Sequence, residues 1–93
     1  MTFLIIGAGI GGLSLAALLA KDGNKVKVIE KNAQPGGRAR VYRKDGFVFD
    51  MGPTFFRMSY EFDELAADCG IKLPFRKREL DPIYTVWYDT PGK

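Results

Sequence analysis

The sequence predicts an α/β fold that starts with a parallel strand–helix–strand unit and continues with a hairpin, a helix and a further strand. Two patterns predict the first unit: an apolar run that stops at a glycine, and a Leu- and Ala-rich block of helix length before an alternating strand. A third pattern, Asp-Gly between two strand-like segments, predicts the hairpin. We expect one small unit with a thin core, because a chain of 93 residues buries only about 60 to 65% of its unfolded surface.

The first unit consists of three segments in about thirty residues. Thr2–Ile6 is β-branched and apolar, which suits a strand buried on both faces. The block from Ile10 to Lys21 predicts a helix that Gly23 and Asn24 terminate. Lys25–Glu30 alternates charged with apolar residues and predicts the second strand. These segments form a βαβ unit, whose crossover we expect to be right-handed.

The hairpin is predicted from two segments around Asp45-Gly46. The segments run from Ala39 to Lys44 and from Phe47 to Asp50. The dipeptide between them accepts the positive φ angles of a tight turn. We therefore expect two short antiparallel strands.

The second helix is predicted between Ser59, a good N-cap residue, and Gly70, a good C-cap residue. Its apolar residues recur at i, i+3, i+4 and i+7; they are Phe62, Leu65, Ala66 and Cys69. Cys69 is therefore predicted to be a packing residue rather than a nucleophile. Ile83–Tyr88 then predicts another strand, and "DTPGK" at residues 89–93 predicts a turn.

Composition excludes several kinds of function. The net charge is only +3, and its densest cluster, Arg76 to Arg78, is that of a solvated loop, so no nucleic-acid partner is expected. One cysteine and no histidine leave no internal disulfide and no metal site, and favour a reducing, cytoplasmic setting. The apolar run from Phe3 to Ala20 has no preceding basic residue and contains turn-forming glycines, so neither a signal peptide nor a membrane span is predicted.

A glycine motif lies where the first strand meets the first helix. Gly7, Gly9 and Gly12 have the spacing G-x-G-x-x-G. The first allows a sharp turn, the second lets a pyrophosphate approach the backbone, and the third lets the helix pack against the strand. The helix N-terminus would then bind the phosphates. Gly11, inside the motif, is also a candidate binding residue.

Glu30 ends the second strand, where a dinucleotide site places an acid. Its carboxylate can accept hydrogen bonds from both hydroxyls of an adenosine ribose, and it would repel a 2′-phosphate. The neighbouring Lys31 is a further candidate. An adenine dinucleotide other than NADP is therefore expected.

The predicted fold class is thus the N-terminal portion of a Rossmann-like FAD/NAD(P)-binding domain with an incomplete sheet. A doubly wound domain needs at least a third parallel strand, and no second βαβ unit is predicted. We expect residues 1–93 to be one part of that domain, with its remainder and a substrate domain outside this chain.

"PGGRA", residues 35–39, carries a pair of glycines and an arginine. By themselves these residues suit a phosphate contact and an ordinary surface turn equally well. With the motif and Glu30 before them, they resemble the flavoprotein superfamily of amine oxidases, protoporphyrinogen oxidase and carotenoid desaturases. The longer string "PGGRARVYRKDGFVFDMGPTFF" resembles the N-terminal region of bacterial-type phytoene desaturases, and the similarity extends over the whole chain.

That resemblance implies FAD as the cofactor and desaturation of a lipophilic polyene precursor as the reaction, at a membrane to which the enzyme attaches peripherally. It implies that Gly36, Gly37 and Arg38 contact FAD phosphate and ribityl groups. It implies that the segment approaching the flavin ring is Gly52, Pro53 and Thr54. No catalytic residue is assigned within the chain.

The sequence departs from the desaturase pattern at residues 55–58, which are Phe-Phe-Arg-Met. The aromatic side chains suit core or domain-interface packing and also the border of a polyene tunnel. Arg57 suits solvent or a polar end group of a substrate. The alternatives to a desaturase are another FAD-dependent oxidoreductase, such as a polyene saturase, isomerase or amine oxidase, and a dinucleotide-binding fragment without enzymatic activity.

Overall fold

The computed structural model describes residues 1–91, and its elements follow the predicted order up to the second helix. They are β1 (Thr2–Ile6), α1 (Ile10–Lys21), β2 (Lys25–Ile29), a short 3₁₀ helix (Gly37–Ala39), β3 (Val41–Lys44), β4 (Phe47–Asp50) and α2 (Tyr60–Cys69). The α/β fold class with an open sheet is confirmed.

β1 and β2 form a parallel pair, in which Thr2 lies opposite Lys25 and Ile6 opposite Ile29. Parallel neighbours need a crossover, and α1 supplies it while packing on one face of the pair. The N–H of Gly7 donates to the carbonyl oxygen of Ile29 at 2.7 Å, which continues the pairing past the end of β1. The glycine motif and the end of β2 are therefore adjacent.

The expectation that β1 is buried on both faces is wrong for residues 1–91. Phe3 and Ile5 are half-buried, whereas Leu4 is 60% and Ile6 is 84% exposed. The reason is that α1 covers one face only, and no described element covers the other. The strand is thus apolar on both faces but has one packing partner.

The predicted hairpin is confirmed, with strands at Val41–Lys44 and Phe47–Asp50. Asp45 and Gly46 have φ angles of 51° and 81°, the left-handed values that a two-residue turn of this kind requires. The first strand starts two residues later than predicted, because the chain through Ala39 forms the 3₁₀ helix.

α2 begins and ends where the sequence predicts, but Ser59 does not cap it with its side chain. Ser59 has φ −59° and ψ −20°, a helical conformation, and side-chain capping requires an extended one. Gly70 has φ 69° and its N–H donates to the carbonyl oxygen of Ala67, so it is the predicted left-handed C-cap.

The apolar stripe of α2 is its least exposed side. Ala66 is buried, and Phe62, Leu65 and Cys69 are half-buried. Lys21 at the end of α1 donates through its ammonium group to the carbonyl oxygen of Asp68, which joins the two helices. Cys69 therefore lies in the packed stripe, as predicted, without being fully buried.

The strand predicted at Ile83–Tyr88 is wrong, because this segment forms no strand pairing in the structure. Val86 is 67% and Trp87 is 89% exposed. β-branched and aromatic residues favour a pleated surface, but a strand also needs a neighbour to pair with. Of the predicted turn after Tyr88, Gly92 and Lys93 lie outside the described residues.

No helix within residues 1–91 has the length and apolarity that crossing a bilayer demands.

Candidate functional site

The loop from Gly7 to Gly9, here called the glycine loop, leads from β1 into the N-terminus of α1. Gly9 occupies the N-cap position in an extended conformation, and neither a capping side chain nor an acidic first-turn residue accompanies it. The first N–H groups of a helix have no intrahelical acceptor, and the dipole adds positive potential there. The N-terminus of α1 is therefore available to bind an anion such as a phosphate.

Gly12 and Gly7 have the geometric roles that the motif predicts. A Cβ atom on Gly12 would overlap the carbonyl oxygen of Gly7 and lie 3.4 Å from Cγ2 of Ile5. Gly7 has φ 101°, which L side chains rarely adopt. By contrast, a Cβ atom on Gly11 would meet no other residue within 4 Å. Gly12 thus permits close contact between α1 and β1, and Gly11 does not contribute to it.

Glu30 connects the end of β2 to the glycine loop. Its Oε2 accepts the N–H of Ala8 at 2.8 Å, and its Oε1 accepts the N–H and the side-chain Nδ2 of Asn32 at 3.1 and 3.3 Å. The N–H of Ala8, followed by that of Asn32, lowers the pKa of the Glu30 carboxyl below its ordinary value. A carboxylate oxygen has two acceptor positions, so Oε2 has capacity for a further donor such as a hydroxyl. Sequence reasoning missed the bond to Ala8, for which the sequence carries no signal.

Gly36 and Gly37, here called the glycine-pair turn, pack directly on the glycine loop. The N–H of Gly36 donates to the carbonyl oxygen of Ala8 at 2.8 Å. A Cβ atom on Gly37 would lie only 3.2 Å from Cα of Gly9. Ala8 is 4% exposed and is bonded on both sides, to Glu30 and to Gly36. The structure therefore brings the two glycine motifs into direct contact.

A groove of about 490 Å³ lies at this junction, within the size range of small-molecule sites. Six predicted residues line it: Gly7, Gly9, Glu30, Lys31, Gly37 and Arg38. Four others were not predicted: Ile6, Ile29, Asn32 and Arg40. Its charged side chains are three cations and the Glu30 carboxylate, so the groove favours a ligand with more than one negative charge.

The remaining predicted residues lie around the groove rather than in its lining. Gly36 fixes the glycine-pair turn through the hydrogen bond from its N–H to the carbonyl oxygen of Ala8. A Cβ atom on Gly52 would overlap the carbonyl oxygen of Arg38, so Gly52 brings the segment after the hairpin close to the glycine-pair turn. Pro53 is exposed, and Thr54 lines a separate cavity of about 610 Å³ with Phe55 and Phe56. That Pro53 and Thr54 approach a flavin ring stays a prediction.

The aromatic residues at positions 55 and 56 pack against aromatic residues later in the chain. The ring centroid of Phe56 lies 4.8 Å from that of Phe62 in α2 and 5.7 Å from that of Phe75. Phe55 lies 6.3 Å from Tyr84. Arg57 is exposed. The rings thus connect α2 to the segments on either side of it.

Known proteins are similar to this chain in sequence and in fold. The sequence profile of the NAD(P)-binding Rossmann-like domain matches residues 5–70. A 4,4′-diapophytoene desaturase (4,4′-diaponeurosporene-forming) of Staphylococcus aureus is 41% identical over 91 residues, which cover 96% of this chain and 18% of that protein. The chain thus spans about a fifth of the length of the curated relatives it matches. The predicted resemblance to desaturases is confirmed.

Two solved structures share the fold. An oxidoreductase from Methanosarcina mazei has a TM-score of 0.54 and 41% identity, over 58% of this chain and 13% of that one. Reduced UDP-galactopyranose mutase has a TM-score of 0.56 and 38% identity, over 64% of this chain and 14% of that one. Because the profile covers residues 5–70, well over half of the sequence, this chain belongs to the NAD(P)-binding Rossmann-like domain family.

Proposed function

We propose that this chain forms the ADP-binding part of the FAD site of an oxidoreductase, as the N-terminal part of its cofactor domain. The observation that carries the proposal is the contact of the glycine-pair turn with the glycine loop beside Glu30. NAD and FAD share the ADP half, which this groove suits. The choice of FAD rests on the similarity to desaturases and on the second glycine motif.

Each group of the groove has a task in that proposal. The Glu30 carboxylate, which like an ordinary carboxyl group is ionised at neutral pH, accepts the ribose hydroxyls. The free N–H groups at the start of α1 bind the pyrophosphate, with added charge from Lys31 and Arg38. The ionised Glu30 repels a 2′-phosphate, which argues against NADP at this end of the groove.

The chemistry that a bound FAD supplies is removal of hydrogen from adjacent saturated carbons, which creates a conjugated double bond. The residues of this chain bind and orient the cofactor, and none of them is assigned as an acid or base. The proposed substrate is a lipophilic carotenoid precursor, in keeping with the desaturase similarity. Because such a polyene dissolves in lipid, we expect the whole enzyme to associate peripherally with a membrane.

The test uses the full-length protein, purified and also expressed in cells that accumulate phytoene or 4,4′-diapophytoene. We expect a yellow protein with the absorption spectrum of a flavin. In the cell extract we expect polyenes whose conjugated chromophore is longer than that of the precursor. A Gly9→Val variant places a side chain where the pyrophosphate approaches, and we expect it to lack flavin and product. Absence of flavin from the wild type would refute the cofactor assignment, and flavin without polyene conversion would refute the substrate assignment.

The similarity to a mutase favours a second candidate. The same groove would then bind FAD for a rearrangement rather than a desaturation, since segments outside this fold decide the reaction. The rearrangement would be favoured if the full-length protein binds flavin, forms no desaturated polyene and converts a substrate into its isomer.

A further inference from the structure

We propose that Arg40 is a second phosphate-binding arginine of the groove, in addition to Arg38. This inference rests on the proposed function, because its ligand is the pyrophosphate of the dinucleotide. Neither the glycine motifs nor the similarity to desaturases assigns a role to Arg40.

The guanidinium group of Arg40 is held beside the glycine-pair turn. Its Nη1 donates to the carbonyl oxygen of Gly37 at 3.0 Å, and the side chain is half-buried in the lining of the groove. Gly37 packs against Gly9, the residue that leaves room for a pyrophosphate. The guanidinium group is thus next to the expected position of the phosphates.

The backbone of Arg40 is fixed from two sides. A Cβ atom on Gly36 would lie 2.9 Å from Cα of Arg40, so the turn and Arg40 are in close contact. The carbonyl oxygen of Arg40 accepts the N–H of Met51 at 3.0 Å, which ties it to the end of the hairpin. A side chain on a fixed backbone loses less conformational freedom when it binds a ligand.

The charge of Arg40 has no acidic partner among residues 1–91, where the ion pair found is that of Lys77 with Asp63. The nearby carboxylate, Glu30, is instead engaged by Ala8 and Asn32. A guanidinium group carries five N–H donors, and the bond to Gly37 uses one. The remaining donors suit a bidentate contact with phosphate oxygens.

The experiment measures affinities for ADP and adenosine by calorimetry, using full-length protein freed of flavin. Two variants are compared. Arg40→Met keeps the apolar part of the side chain and loses the charge. Arg40→Lys keeps the charge but loses the planar guanidinium group that makes bidentate contacts. We expect Arg40→Met to weaken ADP binding by about 10- to 100-fold, the range for a charged hydrogen bond, and to leave adenosine binding unchanged. Arg40→Lys should give an intermediate loss. The matched control is Arg43→Met on β3, outside the groove, with wild-type affinities.

Wild-type ADP affinity in Arg40→Met would overturn the inference, and so would an equal loss of ADP and adenosine binding. Should Arg40→Met fail to fold, an unchanged ratio of ADP to adenosine affinity in Arg40→Lys would overturn it. Wild-type protein that binds neither FAD nor ADP would instead refute the proposed function, so the two failures are distinguishable.

Discussion

Replacing Gly12 with alanine tests whether α1 must touch the glycine loop to form the site, and Gly11 provides the matched control. Both glycines lie in the first turn of α1. A Cβ atom on Gly12 would overlap the carbonyl oxygen of Gly7, and one on Gly11 would enter open space. The two substitutions therefore add the same methyl group to the same turn in different surroundings.

The expected magnitudes follow from these contacts. In a helix, alanine is favoured over glycine by about 0.5 to 1 kcal/mol, and both variants gain this contribution. Overpacking costs about 1 to 3 kcal/mol, and only Gly12→Ala incurs it, because its obstacle is a backbone atom. We expect Gly11→Ala to be neutral or slightly stabilising. Gly12→Ala should have a free energy of unfolding about 1 to 3 kcal/mol below that of Gly11→Ala.

The assay is denaturant unfolding of the full-length protein, with FAD affinity measured on the same samples. Gly12→Ala should also weaken FAD binding, because the displaced Gly7 carbonyl moves the glycine loop. Gly11→Ala retains its backbone N–H and should bind FAD like the wild type. Equal stability of the two variants would refute the steric role of Gly12, and weaker FAD binding by Gly11→Ala than by Gly12→Ala would refute the link between that contact and the site.

Three further predictions concern Glu30 and the glycine-pair turn. Because two N–H donors lower the pKa of Glu30 below its ordinary value of about 4.5, its contribution to stability is complete above that pH and is lost as the pH falls through the lowered pKa. In Glu30→Gln this contribution to the pH dependence of the free energy of unfolding should be absent. The measurement is denaturant unfolding over a series of pH values, and a pH profile equal to that of the wild type would contradict the prediction. Glu30→Arg should weaken FAD binding at least about 10-fold in a flavin titration, since it removes a charged acceptor; wild-type affinity would be inconsistent with the ribose assignment. Gly36→Ala places Cβ 2.9 Å from the backbone of Arg40, whereas Gly23→Ala, also at positive φ, meets open space; thermal unfolding should show the larger loss for Gly36→Ala, and equal losses would argue against that contact.

The elements that the sequence predicts correctly depend on local signals. The β1–α1–β2 unit follows from hydrophobic periodicity and from glycine at the end of the helix, all within about thirty residues. The hairpin follows from Asp45-Gly46, whose φ angles permit the turn whatever surrounds it. Signals of this kind can be recognised without knowing any long-range contact.

The wrong predictions depend on partners that a sequence pattern does not reveal. Ile83–Tyr88 has the composition of a strand but pairs with no strand among residues 1–91. β1 has two apolar faces but one covering helix. The Ser59 side chain does not cap α2, because its backbone is already helical. Composition indicates which structure a segment is able to form, and the available packing partners decide whether it forms that structure.

The sequence predicts the parts of the candidate site but not the contacts that join them. Glycines with required spacing identify the glycine loop, and an acid at the end of β2 is a known companion. The bond from Ala8 to Glu30 and the contact of Gly37 with Gly9 join residues distant in the chain, and no local pattern encodes them. Arg40 was missed for the same reason, since its place in the groove depends on how the glycine-pair turn folds back.

The central claim is that both glycine motifs and Glu30 form one binding site for the ADP half of FAD. A crystal structure of the full-length protein with FAD tests it most directly. We expect the ribose hydroxyls within hydrogen-bond distance of the Glu30 carboxylate and the pyrophosphate between the start of α1 and the glycine-pair turn. An adenine dinucleotide bound elsewhere, with this groove filled only by solvent, would contradict the claim.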